Sequence, residues 1–207
     1  FWLKIFKVAR PPWITSMTDV TSPLLHASRE GCIEEVRTLL SAKADHGVRD
    51  SEGGDTALLL ASENGHADVV QVLLDMGVDH SIPNNNGITA LMAASQDGHV
   101  EVARLLLAAR ANHSARRDSG HTALMIGSLK GHSEVLKALL DADADHAARD
   151  EDGCTALIFA SQEGHMNAVR VLLDAGADSA AESDCGVTAL MIAGREGHDD
   201  VVRLLKG

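Results

Sequence analysis

One eleven-residue string constrains the fold more than anything else in this chain. TALMAASQDGH, Thr89 to His99, returns as TALLLASENGH from Thr56, TALMIGSLKGH from Thr122, TALIFASQEGH from Thr155 and TALMIAGREGH from Thr188. These starts lie 33 residues apart, and a weaker copy, SPLLHASREGC, begins at Ser22, 34 residues before Thr56. A fixed period of this size means stacked supersecondary units rather than a chain wrapped about one centre. Taken alone, the string holds hydroxyls, an acid and a histidine, the ingredients of a nucleophilic site. One chain has no use for five such triads in register. The motif is architectural.

Each copy reads as two short helices. The threonine hydroxyl caps the first turn, as at Thr56. Ala57, Leu58 and Ala61 supply small and apolar residues at helical spacing. Gly65 ends that helix, because glycine accepts a left-handed backbone. ADVVQVLLD, Ala67 to Asp75, forms a second helix whose apolar face is Val69, Val70, Val72, Leu73 and Leu74. Met76–Asp79 is a glycine-punctuated exit, and a polar stretch leads to Gly87 before the next threonine. Helices this short do not persist alone, so neighbouring copies must bury one another.

These residues resemble the ankyrin repeat. The threonine, the Ala-Leu pair, the Gly-His pair, the Leu-Leu pair and the Ala-Asp step recur from about Met17 to Gly207. The proline and histidine of the family signature are replaced by Ala57 and Leu59, Ala90 and Met92, Ala123 and Met125, Ala156 and Ile158, and Ala189 and Met191; Pro23 keeps the proline. The resemblance implies an all-α solenoid of helix–turn–helix units joined by β-turn or hairpin loops. The expected units are 17–49, 50–83, 84–116, 117–149, 150–182 and an incomplete 183–207. The extra residue of the first 34-residue step sits in the turn DSEGGDT, one longer than DEDGCT at Asp150–Thr155.

Residues 1–16, FWLKIFKVARPPWITS, stand apart. They hold both tryptophans and two of three phenylalanines, while every later residue is non-aromatic except Phe159. They read as a leader, disordered or a short helix, with Met17 as a natural start. Pro11 and Pro12 would end a surface helix after barely three turns, and Lys4 and Lys7 interrupt a signal-peptide core. At the other end Lys206 stands where Leu173 does one period earlier, a hint of a polar cap. Val201, Val202, Leu204 and Leu205 remain apolar, so the parent protein is expected to continue past Gly207.

Chemistry finds little support. The resemblance makes His66, His99, His132, His165 and His198 structural, with the imidazole bonding near the start of the second helix. A second series, His46, His80, His113 and His146, occupies a place that is usually apolar in the family. Units about 10 Å apart cannot bring two such rings to the roughly 2 Å bonds of one zinc ion. The series reads as partly exposed hairpin residues, with pH sensitivity as the lesser alternative. Cys32, Cys154 and Cys185 are an odd set without C-x-x-C spacing. They argue against a disulfide scaffold or zinc site and for a reducing, intracellular and cytoplasmic setting. No phosphate loop or nucleophile elbow occurs, and neither catalysis, a metal nor a cofactor is expected.

Function is then expected in residues that vary between copies while the frame stays fixed. The chain carries −12 overall; setting aside Lys4, Lys7 and Arg10 leaves 15 basic residues against 30 acids, or −15. Such a surface is a poor match for nucleic acid and a better one for a basic protein segment. No apolar run approaches the roughly 20 residues of a membrane span. In proteins of the resembled family, ligands meet the turn tips and the exposed end of the first helix. Here that surface comprises Glu52, Asp55, Asn85, Asn86, Ile88, Asp97, Asp118, His121, Leu129, Lys130, Glu151, Asp152, Gln162, Glu163 and Asp184, together with Glu63. The expectation is a mostly acidic concave face with an apolar spot at Leu129 and Ile88, on a monomeric protein-binding array. Arg49, Arg116, Arg117 and Arg149 offset part of the charge. The alternatives are a regulatory or targeting segment of a larger enzyme or channel, and a plain spacer.

Overall fold

The computed structural model describes residues 23–207. The leader 1–16 and the opening of the first unit, through Ser22, lie outside the described residues. Twelve helices follow in strict alternation of first and second helix: α1 (Pro23–Arg29), α2 (Ile33–Ser41), α3 (Ala57–Glu63), α4 (Ala67–Asp75), α5 (Ala90–Asp97), α6 (Val100–Ala108), α7 (Ala123–Lys130), α8 (Ser133–Asp141), α9 (Ala156–Gln162), α10 (Met166–Asp174), α11 (Ala189–Glu196) and α12 (Asp199–Lys206). Odd-numbered helices pack against one another in sequence, and even-numbered helices do the same. The result is a two-layer stack. Extended structure among the described residues is confined to isolated antiparallel bridges, Arg49 with Thr56 and Glu182 with Thr188. No helix among the described residues is long and apolar enough to cross a membrane.

The caps act as the sequence implies. Thr56, Thr89, Thr122, Thr155 and Thr188 each sit in extended backbone, and each hydroxyl accepts from the amide three residues on, at 3.2–3.4 Å. The inner layer is nearly solid: Ala57–Ser62 and Ala90–Ser95 are buried throughout. Alanine at the second place, and alanine or Gly127 at the sixth, keeps the packed side of each first helix small. The second helices are one-sided. In α4, Val69, Val70, Val72 and Leu73 are buried, while Asp68, Gln71 and Asp75 are exposed.

The Gly-His pair does something that neither residue suggests alone. The imidazoles do not cap their own second helix. Each reaches back to the preceding helix pair, where its Nε2 donates to a main-chain carbonyl in the last turn of the first helix. The acceptors are Arg29 for His66, Glu63 for His99, Gln96 for His132, Leu129 for His165 and Gln162 for His198, at 2.9–3.1 Å. The bond therefore forms between units, not near the start of the same unit's second helix. Each ring also lies against the preceding glycine. A Cβ on Gly98 would come within 2.6 Å of His132 Nδ1, and one on Gly65 within 2.5 Å of His99 Nδ1. The glycine thus meets two demands, a φ near +75° and room for the neighbour's ring.

Stacking also sets exposure at the C-terminal end. Leu59, Met92, Met125 and Ile158 share one register and are 1–3% exposed, because the next unit covers them; Met191, with no unit after it here, is 60% exposed. Gly197 likewise has no neighbour near its Cβ direction. A test follows from this difference. Gly98→Ala carries both the left-handed strain, about 1–2 kcal/mol, and the collision with His132, whereas Gly197→Ala carries the strain alone. Chemical denaturation is expected to show the first as the costlier by about 1 kcal/mol or more, with part of the excess recovered on adding His132→Ala. Equal losses at the two glycines would refute the two-demand account.

Candidate functional site

The turn tips project from the frame by a repeated construction. Asp50 opens the first described tip, and one of its carboxylate oxygens accepts from the amides of Gly53, Gly54 and Asp55. Burial alone would push this carboxyl up, but those three amides and the nearby Arg29 guanidinium hold it below its ordinary value. Asn84 and Asp150 play the same part in later tips. Each tip is also laid on the one before. Asn85 donates its amide to the Gly53 carbonyl, and Asp184 donates to the carbonyl of Asp152, both at 2.9 Å. Gly54, Gly87, Gly120 and Gly153 leave room for Asn85, Asp118, Glu151 and Asp184 of the following tip.

Arginines at the foot of the tips are structural staples rather than free cations. Arg49 donates to the Pro83 carbonyl. Arg116 reaches the carbonyls of Gly120 and Arg149, and Arg149 pairs with Asp184 at 2.9 Å. Sequence reasoning set these cations against the acids as general charge. Apart from the Gly120 carbonyl, their acceptors lie one unit further on and come from the stacking register.

Of the expected contact residues, Glu52, Asn85, Asn86, Asp97, Asp118, Lys130, Glu151, Asp152, Glu163 and Asp184 are exposed, while Asp55, Ile88, His121, Leu129 and Gln162 are half-buried. Several are already engaged. Asp55 accepts from Asn84 at 2.8 Å, and Gln162 donates to Glu163 at 3.1 Å. Acids from different elements crowd one another at Glu63. Its burial pushes the carboxyl up, and Asp55 and Asp97 push it further, against a weaker pull from Arg29.

The most built part of this surface surrounds His121. Arg117 can only donate, so its 2.8 Å contact makes His121 Nδ1 an acceptor. Nε2 then carries the proton and donates to Asp150, 3.2 Å away and almost fully buried. The ring also meets Phe159 of α9 edge-to-face, with centroids 5.0 Å apart and planes at 65°. Burial, then the Arg117 charge, outweighs the pull of Asp150 and Asp152, so His121 protonates below its ordinary value of 6.5. Sequence reasoning found His121 but missed Phe159 as a surface residue. Its signal was present, as the one aromatic after position 16.

The second histidine series is part of the hairpin layer. His46 is exposed, and His80, His113 and His146 are half-buried. Nδ1 of His80 and of His146 is buried without a protein partner. No group of three or more His, Cys, Asp or Glu suited to a metal occurs among the described residues. Cys32, Cys154 and Cys185 are free thiols.

Two measurements probe these environments. Because the unfolded chain binds the His121 proton more tightly than the folded one, this group's support for the fold is complete above pH 6.5 and declines as pH falls below it. An NMR titration is expected to place His121 below a free histidine, and Arg117→Met to move it upward; a wild-type midpoint above 6.5 would refute the arrangement. Burial, and then the carboxylates of Asp150 and Asp152, push the Cys154 thiol up. Iodoacetamide near neutral pH is expected to label the exposed Cys32 and Cys185 first, read by peptide mass, and equal labelling of Cys154 would count against it.

Comparison with known proteins agrees with this architecture. The family model for ankyrin repeats matches as three copies, over residues 11–84, 76–150 and 142–207. Among curated relatives, the NAD-capped RNA hydrolase NUDT12 of Pongo abelii is 35% identical over 72 residues, 35% of this chain and 16% of that protein. The same enzyme of Homo sapiens, like that of Macaca fascicularis, is 40% identical over 60 residues, 29% of this chain and 13% of the relative. The chain thus spans a sixth or less of the length of these relatives.

Proposed function

Because the chain belongs to the ankyrin-repeat family, we propose that it is a protein-binding module that takes a basic segment of its partner on the turn tips and the concave helix surface beneath them. Ankyrin repeats mediate protein–protein interaction and are not themselves catalytic. The observation that carries the finer reading is the run of exposed acids along the tips and helix ends; at Glu63, burial and then Asp55 and Asp97 raise the carboxyl. Carboxylates held near one another on an open face repel, and an incoming cation relieves that repulsion. Exposed Glu52, Asp118, Glu151, Asp152, Glu163 and Asp184 extend the same sign along the array. Asn85, Asn86 and Gln162 offer hydrogen bonds, and half-buried Ile88 and Leu129 offer apolar contact. The stapled tips are preformed, so little ordering entropy opposes binding.

A second reading is favoured by the relatives. The matched stretch is a small part of each NAD-capped RNA hydrolase, which supports reading this array as a regulatory or targeting segment of a larger enzyme. The natural protein's sequence beyond Gly207 decides between the two: a catalytic or membrane domain supports this second reading, and further repeats followed by a stop support the first.

The binding test is affinity capture from extract by the full chain, beside a variant carrying Asp118→Asn, Glu151→Gln, Asp152→Asn and Leu129→Gln. A basic partner is expected, retained about tenfold less by the variant and released at 1 M salt, where the screening length is about 3 Å. Capture that ignores both the variant and salt would overturn the acidic-face reading.

A further inference from the structure

We propose that Phe159 is the anchor of this surface, an aromatic seat for an arginine side chain of the partner; the proposal rests on the protein-binding reading above and assigns its centre. The argument starts from register. Leu60, Ala93, Ile126 and Ile192 occupy the equivalent place in four of the other first helices and are 1–4% exposed, while α1 has the half-buried His26 there. Phe159 is the one phenyl ring in that row, and like His26 it remains partly open. Its ring packs against the core yet is not closed over as those four aliphatic side chains are.

The ring's surroundings fit a cation. His121 meets it at 65° and is itself held by Arg117 and Asp150, so one wall of the seat is fixed. Glu151 and Asp152 are exposed on the same unit's tip, and Glu163 is exposed at the end of the same helix. Two arginines of the adjoining tips are occupied: Arg117 by His121 and Ser119, and Arg149 by Asp184. Lys130, the last residue of α7, is exposed and carries the opposing sign. A ring face with an acidic rim attracts guanidinium by its quadrupole and by plain charge, and a planar guanidinium stacks where an ammonium only approaches. The occupant is therefore an arginine-bearing basic segment of a protein.

The test uses the full chain and a fluorescein-labelled peptide of alternating arginine and alanine, followed by fluorescence anisotropy. Phe159→Ile installs the residue that two sister units carry, and Phe159→Leu gives a second aliphatic version should the first unfold. Both are checked by circular dichroism. Binding is expected to weaken about five- to tenfold in either variant, to be weaker for the lysine counterpart, and to vanish for the citrulline counterpart. The Phe159 ring resonances are expected to move on titration, which a purely structural role would not produce. Unchanged affinity in folded Phe159→Ile overturns the anchor. If Glu151→Gln with Asp152→Asn still abolishes binding in that case, the acidic-face reading survives without it. Failure of the wild type to bind the arginine peptide overturns the proposed occupant, while the capture experiment above judges the broader reading separately.

Discussion

The contact on which the stack depends is the imidazole that crosses from one helix pair to the last. A first helix of seven or eight residues ends with carbonyl groups that have no partner inside it. The next unit's histidine satisfies one of them and rests its ring on the glycine that ended the helix. Termination of one unit and attachment of the following one thus become the same event. The first described unit has Cys32 in place of that histidine. The five histidines that are present all find an acceptor one unit back.

This arrangement separates the frame from the surface. Helix caps, the solid inner layer and the histidine contacts use residues that barely change between copies. The tips are laid glycine against side chain, with arginines tying each foot to the next. What varies is therefore held in place without having to hold anything itself, apart from the few tip residues that seat on a neighbouring glycine. Asn85, Asp118, Glu151 and Asp184 do both: the side chain leans on the previous tip yet remains exposed. A rigid display of this kind suits recognition of an extended segment, because the partner bears most of the ordering cost.

Electrostatics gives the display a direction. Glu63 is crowded by acids from its own unit's tip and from the end of the next first helix. His121, in contrast, is held below its ordinary protonation value by burial and by Arg117 even with Asp150 against it. The same face thus carries crowded negative charge in one part and an aromatic wall that resists protonation in another. Elements that look equivalent by period differ in chemistry because each tip meets the side chains of the tip after it.

The sequence by itself determined the period, the helix starts at the threonines, the left-handed glycine stops and the apolar face of each second helix. These are local: a hydroxyl reaches an amide three residues away, and a glycine bears its own backbone angle. It also marked the exposed acids, since the variable places in a fixed frame are visible by alignment of the copies within one chain. Only the tertiary structure decided where each imidazole finds its acceptor, 36 or 37 residues away in sequence. It alone tied Arg117 and Asp150 to opposite edges of His121 and left Phe159 open beside them. Those pairings depend on how far one unit is shifted and turned against the next, a quantity set by the packing of many side chains at once and written in no single residue.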